Sequence, residues 1–359
     1  MEFGIFSNGF RPHTSAQRTY EEDIREIVLA DELGFRDAYI SEHHGEPPYI
    51  GRVDTIPAPE LMMCKAAALT KHICMGAAVK LLHIHHPLDV AVQAAVTDHV
   101  VGDGRFIFGF GSGFPSPLFC EERGLTYEDR HARLHESLDF ILRCWTEDEP
   151  FDWDGTYWKG KNIVALPKPL NRPHMPMATA TDSEAMIRIA AERGYTLLSA
   201  FFESIEQFRG KAAQYDAFAK AAGRTNARAL LSGQRAVYVA DSVGEAVDHL
   251  RAAVTHEVGF QAQRGFLTML KRVYDIDVPN DARAIEVLME AGIYVLGDPD
   301  HVAREIRKYY EAVGGFGSFL IIAGKDWATR ERRHRSMRRF MEEVAPQLRG
   351  LPADAGGAG

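Results

Sequence analysis

Residues 34–113 gather most of the side chains in this sequence that could do chemistry. Three short apolar runs deliver them. Asp37-Ala38-Tyr39-Ile40-Ser41 leads to Glu42-His43-His44, and Ile73-Cys74-Met75-Gly76-Ala77-Ala78-Val79 leads to Lys80, His83, His85 and His86. Arg105-Phe106-Ile107-Phe108 leads to Gly109-Phe110-Gly111-Ser112-Gly113. A histidine held by a carboxylate can move protons near neutral pH. Alternate residues of a strand face opposite sides, so only one of His43 and His44 points into a site; a hydrogen-bonded structural pair is the other reading.

The imidazoles of His83, His85 and His86 are zinc or iron ligands in type. A metal-dependent hydrolase barrel also needs ligands from later strand ends. Those ends here, Ala178-Thr179, Leu198-Ser199, Tyr238-Val239 and Ile321-Ile322, bring neither imidazole nor carboxylate, so no metal is expected. The glycines of Gly109-Phe110-Gly111-Ser112-Gly113 do not open a helix at once, because Phe114-Pro115-Ser116-Pro117 intervenes, and the dinucleotide fingerprint is not met. They let a flat ring or a phosphate approach the backbone, or they form a tight turn. Thr179-Ala180-Thr181-Asp182-Ser183-Glu184 opens a helix, whose free N–H groups suit an anion and whose hydroxyls suit a cap.

Helical patterns over residues 58–69 and 87–100 separate these runs, which is the rhythm of a parallel sheet with helices outside it. In such folds ligands lie beyond the carboxyl ends of the strands, where all of this chemistry falls. Strands are expected over residues 3–6, 37–41, 73–79, 105–108, 175–179, 194–199, 235–240 and 318–323, with a small hairpin over 151–158. The expected fold is α/β, a single (β/α)8 TIM barrel over residues 1–348, with two doubly wound domains as the alternative. A loop over 7–17 would carry Asn8, Arg11 and His13, and Thr19 would cap the first helix. Residues 255–291 read as an insertion or lid after strand seven, and residues 349–359 as a disordered tail.

A 46% hydrophobic chain of 359 residues can bury a large core, and a formal charge of −9 argues against nucleic acid or an anionic membrane as partner. No apolar run is long enough to span a bilayer, and the N-terminus carries no targeting pattern. The four cysteines show no paired short spacing, which suits reduced thiols in the cytoplasm.

Taken together, the motifs resemble the bacterial-luciferase-like flavin monooxygenases. Phe3-Gly4-Ile5-Phe6, Ser41-Glu42-His43-His44, Gly76-Ala77-Ala78-Val79, His86-Pro87, Gly104-Arg105-Phe106 and Val295-Leu296-Gly297-Asp298-Pro299 carry the likeness. Ile56-Pro57-Ala58-Pro59-Glu60-Leu61, the histidine-rich segment 81–87 and Gly314-Gly315-Phe316-Gly317 are most similar to the diketocamphane and limonene monooxygenase branch. The resemblance implies a two-component monooxygenase. It would use reduced FMN, supplied by a separate flavin reductase or by free diffusion, and O2 to insert one oxygen atom into a small apolar substrate. Hydroxylation, epoxidation and Baeyer–Villiger oxidation, each through a flavin C4a-(hydro)peroxide, all stay open. The family's active-site histidine falls on His43, beside Glu42. Its non-proline cis peptide beneath the flavin falls between Ala78 and Val79, near Gly109 and Gly111. Ser183 takes the phosphate-contacting position, with Thr179 and Asp182 beside it. Gly111 and Ser112 stand where luciferase has a reactive cysteine and a phosphate-binding arginine, which leaves the phosphate's basic partner open. Phe6, Asn8, Phe110, Phe114 and Tyr238 would enclose the substrate. The resemblance also implies a homodimer through outer helices of the N-terminal half. A deazaflavin (F420)-dependent dehydrogenase of the same superfamily and a non-catalytic flavin-binding protein remain as alternatives, separated from the first reading by O2 consumption with reduced FMN.

Overall fold

Short runs of β-branched and aromatic residues form the strands, and residues with side-chain acceptors or prolines start the helices between them. The computed structural model describes residues 1–11, 14–44, 56–113, 117–263 and 265–355. Strand β1 spans Glu2–Phe10. Contacts divide the chain into two units: residues 7–31 with 37–181, and residues 1–6 with 32–36 and 182–359.

In the first unit β2 (Asp37–Ile40), β3 (Cys74–Ala77), β4 (Lys80–Leu81), β5 (Phe106–Gly111) and β8 (Met177–Thr179) run parallel. The register sets Ile40 beside Ala77, Lys80 beside Phe110, and Phe110 beside Thr179, so the chemistry-bearing ends fall together. Strands β6 (Phe151–Asp154) and β7 (Lys159–Ile163) form the separate antiparallel hairpin. Pro59 and Pro87 begin the helices Pro59–Ala67 and Pro87–Val101, where a missing N–H costs nothing. Trp145, fully buried on helix Arg130–Thr146, donates its indole N–H to Ala91 O at 2.9 Å and ties that helix to Pro87–Val101.

In the second unit β9 (Thr196–Leu198), β10 (Leu231–Val239), β11 (Tyr294–Gly297) and β12 (Ser318–Lys325) alternate with helices. Ser204 and Gln207 form a reciprocal capping box on helix Ile205–Ala221. Asp298 accepts the His301 N–H at 3.0 Å at the start of helix Pro299–Val313. Ladders run β10–β12–β1–β2–β3–β5–β8–β9 and return to β10, the closed eight-strand ring of a (β/α)8 barrel.

Four sequence expectations need correction. Strand β1 continues to Phe10, so the expected loop over 7–17 begins later, and Thr19 lies buried inside helix Ala16–Leu33 rather than capping it. Ser7 and Arg11 find buried partners in Asp23 and Glu26 of that helix, which is what allows the polar end of β1 to stay inside. Strand β11 was not foreseen: it pairs with the second half of β10, from Ala236 beside Tyr294 to Val239 beside Gly297, while the first half pairs with β12. Helix Val243–Gln263 passes without a break through residue 255, so the segment 255–291 is the end of one helix plus helices Phe266–Tyr274 and Ala284–Glu290. The tail is ordered through Ala355: the Met1 ammonium donates to Arg349 O and Leu351 O at 3.0 Å each, and Ala355 N–H to Gly314 O at 3.1 Å.

No disulfide joins Cys64, Cys74, Cys120 or Cys144, and no helix of the described residues is long and apolar enough to cross a membrane.

Candidate functional site

Beyond β2 the chain stays extended, with Ser41 N–H donating to Ser7 O at 2.9 Å and His43 N–H to Ile56 O at 3.1 Å. Two residues apart, Glu42 and His44 share a side, and they bond. The buried Glu42 Oε1 accepts from His44 Nε2 and from His85 Nε2, each at 2.6 Å. Oε2 accepts the Leu81 N–H at 3.1 Å and lies 3.6 Å from Lys80 Nζ, which also reaches Glu60 Oε1 at 3.2 Å. Burial alone would raise the Glu42 pKa, but the two imidazole bonds and Lys80 outweigh it and hold the carboxyl well below its usual range. An ionised carboxylate only accepts, so Nε2 of each ring is the donor in these bonds. His43, between Glu42 and His44 in sequence, is half-buried.

His83 is buried, and neither ring nitrogen has a hydrogen-bond partner among the described residues. Burial, aided by His85, Arg130 and Arg133, lowers its pKa to about 4 against the opposing pull of Glu42. The unfolded chain therefore takes up a proton near pH 6.5 that the folded protein refuses until about pH 4. Stability should be full above pH 6.5 and fall as the pH drops toward 4, by up to ~3 kcal/mol. Urea midpoints across that range should show this slope, and His83→Leu should flatten it. A slope unchanged by that substitution would assign the effect to other groups.

The peptide between Ala78 and Val79 is cis, where the resemblance places one. Around it Val79, Leu81, Phe119 and Cys120 form an apolar cluster, with Ala78 and Ala180 partly buried against it. The His44 ring stands 5.6 Å from that of Phe119, so the proton-bearing cluster borders this apolar surface. Gly109 and Gly111 permit the approach of β5: an added Cβ would stand 1.6 Å from Ala77 O at Gly109, and 2.8 Å from Val79 Cγ2 at Gly111. The Thr179 hydroxyl is buried with no partner among the described residues. A buried apolar cluster, with an unsatisfied hydroxyl on the residue before Ala180, suits a flat heteroaromatic ring with a polar rim, the form of a flavin. Ser112 is half-buried just past β5.

Ser183 is the N-cap residue of helix Glu184–Arg193 but makes no side-chain capping bond, and Asp182 precedes it. Sequence reasoning missed Lys211, a buried lysine whose Nζ lies 3.0 Å from Asp182 Oδ1 and 2.6 Å from the buried Glu203 Oε1. It named Lys80 and His85 but joined neither of them, nor Glu60, to Glu42. A lysine directly after the third strand was the one available signal.

Two of the residues expected to enclose substrate are placed otherwise. Phe110 alternates away from Gly109 and Gly111, is fully buried and stacks on Phe108, which meets Trp145 edge-on at 5.1 Å. The Tyr238 hydroxyl bonds His249 Nδ1 at 3.1 Å, on helix Val243–Gln263. Asn8 is buried with Oδ1 accepting from Phe10 N–H at 3.4 Å, and Phe6 packs partly buried among the apolar residues of the second unit. Phe114 and His13 lie outside the described residues.

The profile of the luciferase-like monooxygenases matches residues 1–315. The chain is 31% identical over 340 residues to 4-hydroxyprotoasukamycin monooxygenase of Streptomyces nodosus subsp. asukaensis, covering 91% of this chain and 87% of that one. It is 27% identical to limonene 1,2-monooxygenase of Rhodococcus erythropolis, over 98% of this chain and 87% of the relative. Among solved structures it matches the oxygenating constituent of 3,6-diketocamphane monooxygenase from Pseudomonas putida, a type II Baeyer–Villiger monooxygenase in complex with FMN. The TM-score is 0.80 at 26% identity, covering 96% of this chain and 98% of that one.

Proposed function

This chain belongs to the luciferase-like monooxygenase family and is an oxidoreductase, and from that premise we propose that it is the oxygenase of a two-component system. Reduced FMN would come from a separate flavin reductase, and the substrate is a small apolar molecule that is hydroxylated, epoxidised or oxidised in Baeyer–Villiger fashion. The observation that carries this reading is the meeting, at one set of strand ends, of an apolar surface with a buried, proton-holding carboxylate–histidine cluster.

Bound there, reduced FMN supplies two electrons to O2, so that one oxygen atom goes to substrate and the other to water. The protein's own part is enclosure and proton placement. Val79, Leu81 and Phe119 keep water off the ring face. The Thr179 hydroxyl, buried without a partner among the described residues, would hydrogen-bond the ring's polar rim. His43 serves as the acid–base group, and Glu42 fixes His44 and His85 beside it. The lid role of residues 255–291 stays part of this proposal, with Glu257 tying the segment to Lys325 at the carboxyl end of β12. A homodimer is supported by Leu61, Leu69, Val96 and Val100, exposed apolar residues on or next to helices Pro59–Ala67 and Pro87–Val101.

FMN should be preferred to FAD, with its phosphate at Ser183 and the first turn of helix Glu184–Arg193, where N–H groups and the helix dipole favour an anion. Ser183→Asp sets a negative charge against that phosphate, and anaerobic titration with reduced FMN should show a dissociation constant raised at least ~10-fold. Unchanged affinity would remove the phosphate from this position and leave the ring site untouched.

A further inference from the structure

We propose that Glu42, His44 and His85 also form a binding site for one divalent transition-metal ion of the zinc type. The proposal does not rest on the flavin reading, and its test uses no flavin. The expectation of no metal assumed that the missing ligands had to come from later strands. Folding instead brings a carboxylate and an imidazole from the end of β2 to His85.

One ligand atom from each of the three residues lies within 4.8 Å of the others, and Oε1 is 2.6 Å from both Nε2 atoms. A tetrahedral ion about 2.1 Å from each ligand would set them roughly 3.4 Å apart, so each ring backs away from Oε1 by less than about 1 Å. Two imidazoles and one carboxylate suit zinc, cobalt, nickel or ferrous iron, with a position left open for solvent. The two oxygens of Glu42 divide the work. Oε2 is already held by the Leu81 N–H and faces Lys80, which orients the carboxylate as outer partners orient metal ligands, while Oε1 faces the two imidazoles. Among the described residues, Glu42 and Glu60 face one cation, Lys80. The His44 and His85 side chains are 14% and 26% exposed, which gives an ion a way in.

The test is titration of the full chain, stripped with a chelator, with Co2+ followed by visible absorption and competition with Zn2+. One Co2+ per chain should bind with the intense bands of a four-coordinate site, and Zn2+ should displace it. His85→Ala should weaken binding at least ~10-fold, the loss that even an outer partner's removal causes. His86→Ala should leave it unchanged, because His86 Nδ1 is occupied by the Leu88 N–H at 3.2 Å. If His44→Ala fails to fold by circular dichroism, the more exposed His85 decides the matter alone. No saturable Co2+ spectrum, or one that survives His85→Ala, overturns the proposal.

Discussion

Replacing His43 by alanine is expected to lower product formation by ~10²–10⁴-fold, the usual worth of a positioned acid–base group. Reduced FMN should bind nearly as well as before, because the substitution leaves the apolar surface at Val79 and Phe119 intact. The protein should also stay folded, since His43 is only half-buried. His44 provides the internal comparison. Its ring is bonded to the buried Glu42, so His44→Ala removes one of the partners of a buried charge and should show chiefly as lost stability. The readout is single-turnover product formation beside urea unfolding for both variants. An active His43→Ala with a folded, inactive His44→Ala would transfer the role to the imidazole that Glu42 actually holds. Two active variants would remove histidine from the mechanism.

The largest stability effect should come from Gly109→Ala. Its Cβ would stand 1.6 Å from Ala77 O and 2.8 Å from Ala77 C, and both belong to backbone pinned in β3. No rotamer change relieves that overlap, so strands β3 and β5 must separate where they carry the candidate site. A loss of at least ~4 kcal/mol is expected, at the extreme of single substitutions, and the protein should be expressed largely unfolded. Gly111→Ala is the milder case. Its Cβ meets Val79 Cγ2 at 2.8 Å and Ala180 O at 3.3 Å, a side chain that can turn and a backbone atom only slightly too near. About 1–2 kcal/mol is expected there. Equal denaturation midpoints for the two variants would mean that β3 and β5 do not approach as closely as described.

Much of this was legible in the sequence because it depends on local pattern. Apolar runs of strand length, proline and acidic or hydroxyl residues at helix starts, and glycine at the close approach of two strands each announce themselves within a few residues. The eight barrel strands and the position of Glu42 at the end of β2 follow from that. What escaped depends on neighbours distant in sequence. Glu42 meets His85 from 43 residues away, and Lys211 meets Asp182 from 29. Strand β11 is four residues long and shares β10 with β12, so its partner could not be inferred from its own composition. The facing of Phe110 was legible, and only its alternation with Gly109 and Gly111 needed to be applied.

The most direct test of the central claim is isotopic. The protein, mixed anaerobically with chemically reduced FMN and then exposed to ¹⁸O2 with a panel of terpenoid, aliphatic and aromatic ketones, should return a product carrying one ¹⁸O atom. The second labelled atom should appear in water, and O2 uptake should match product one to one. Oxidation of an alcohol by a deazaflavin with no O2 consumed, or unlabelled product from every member of the panel, would contradict the account.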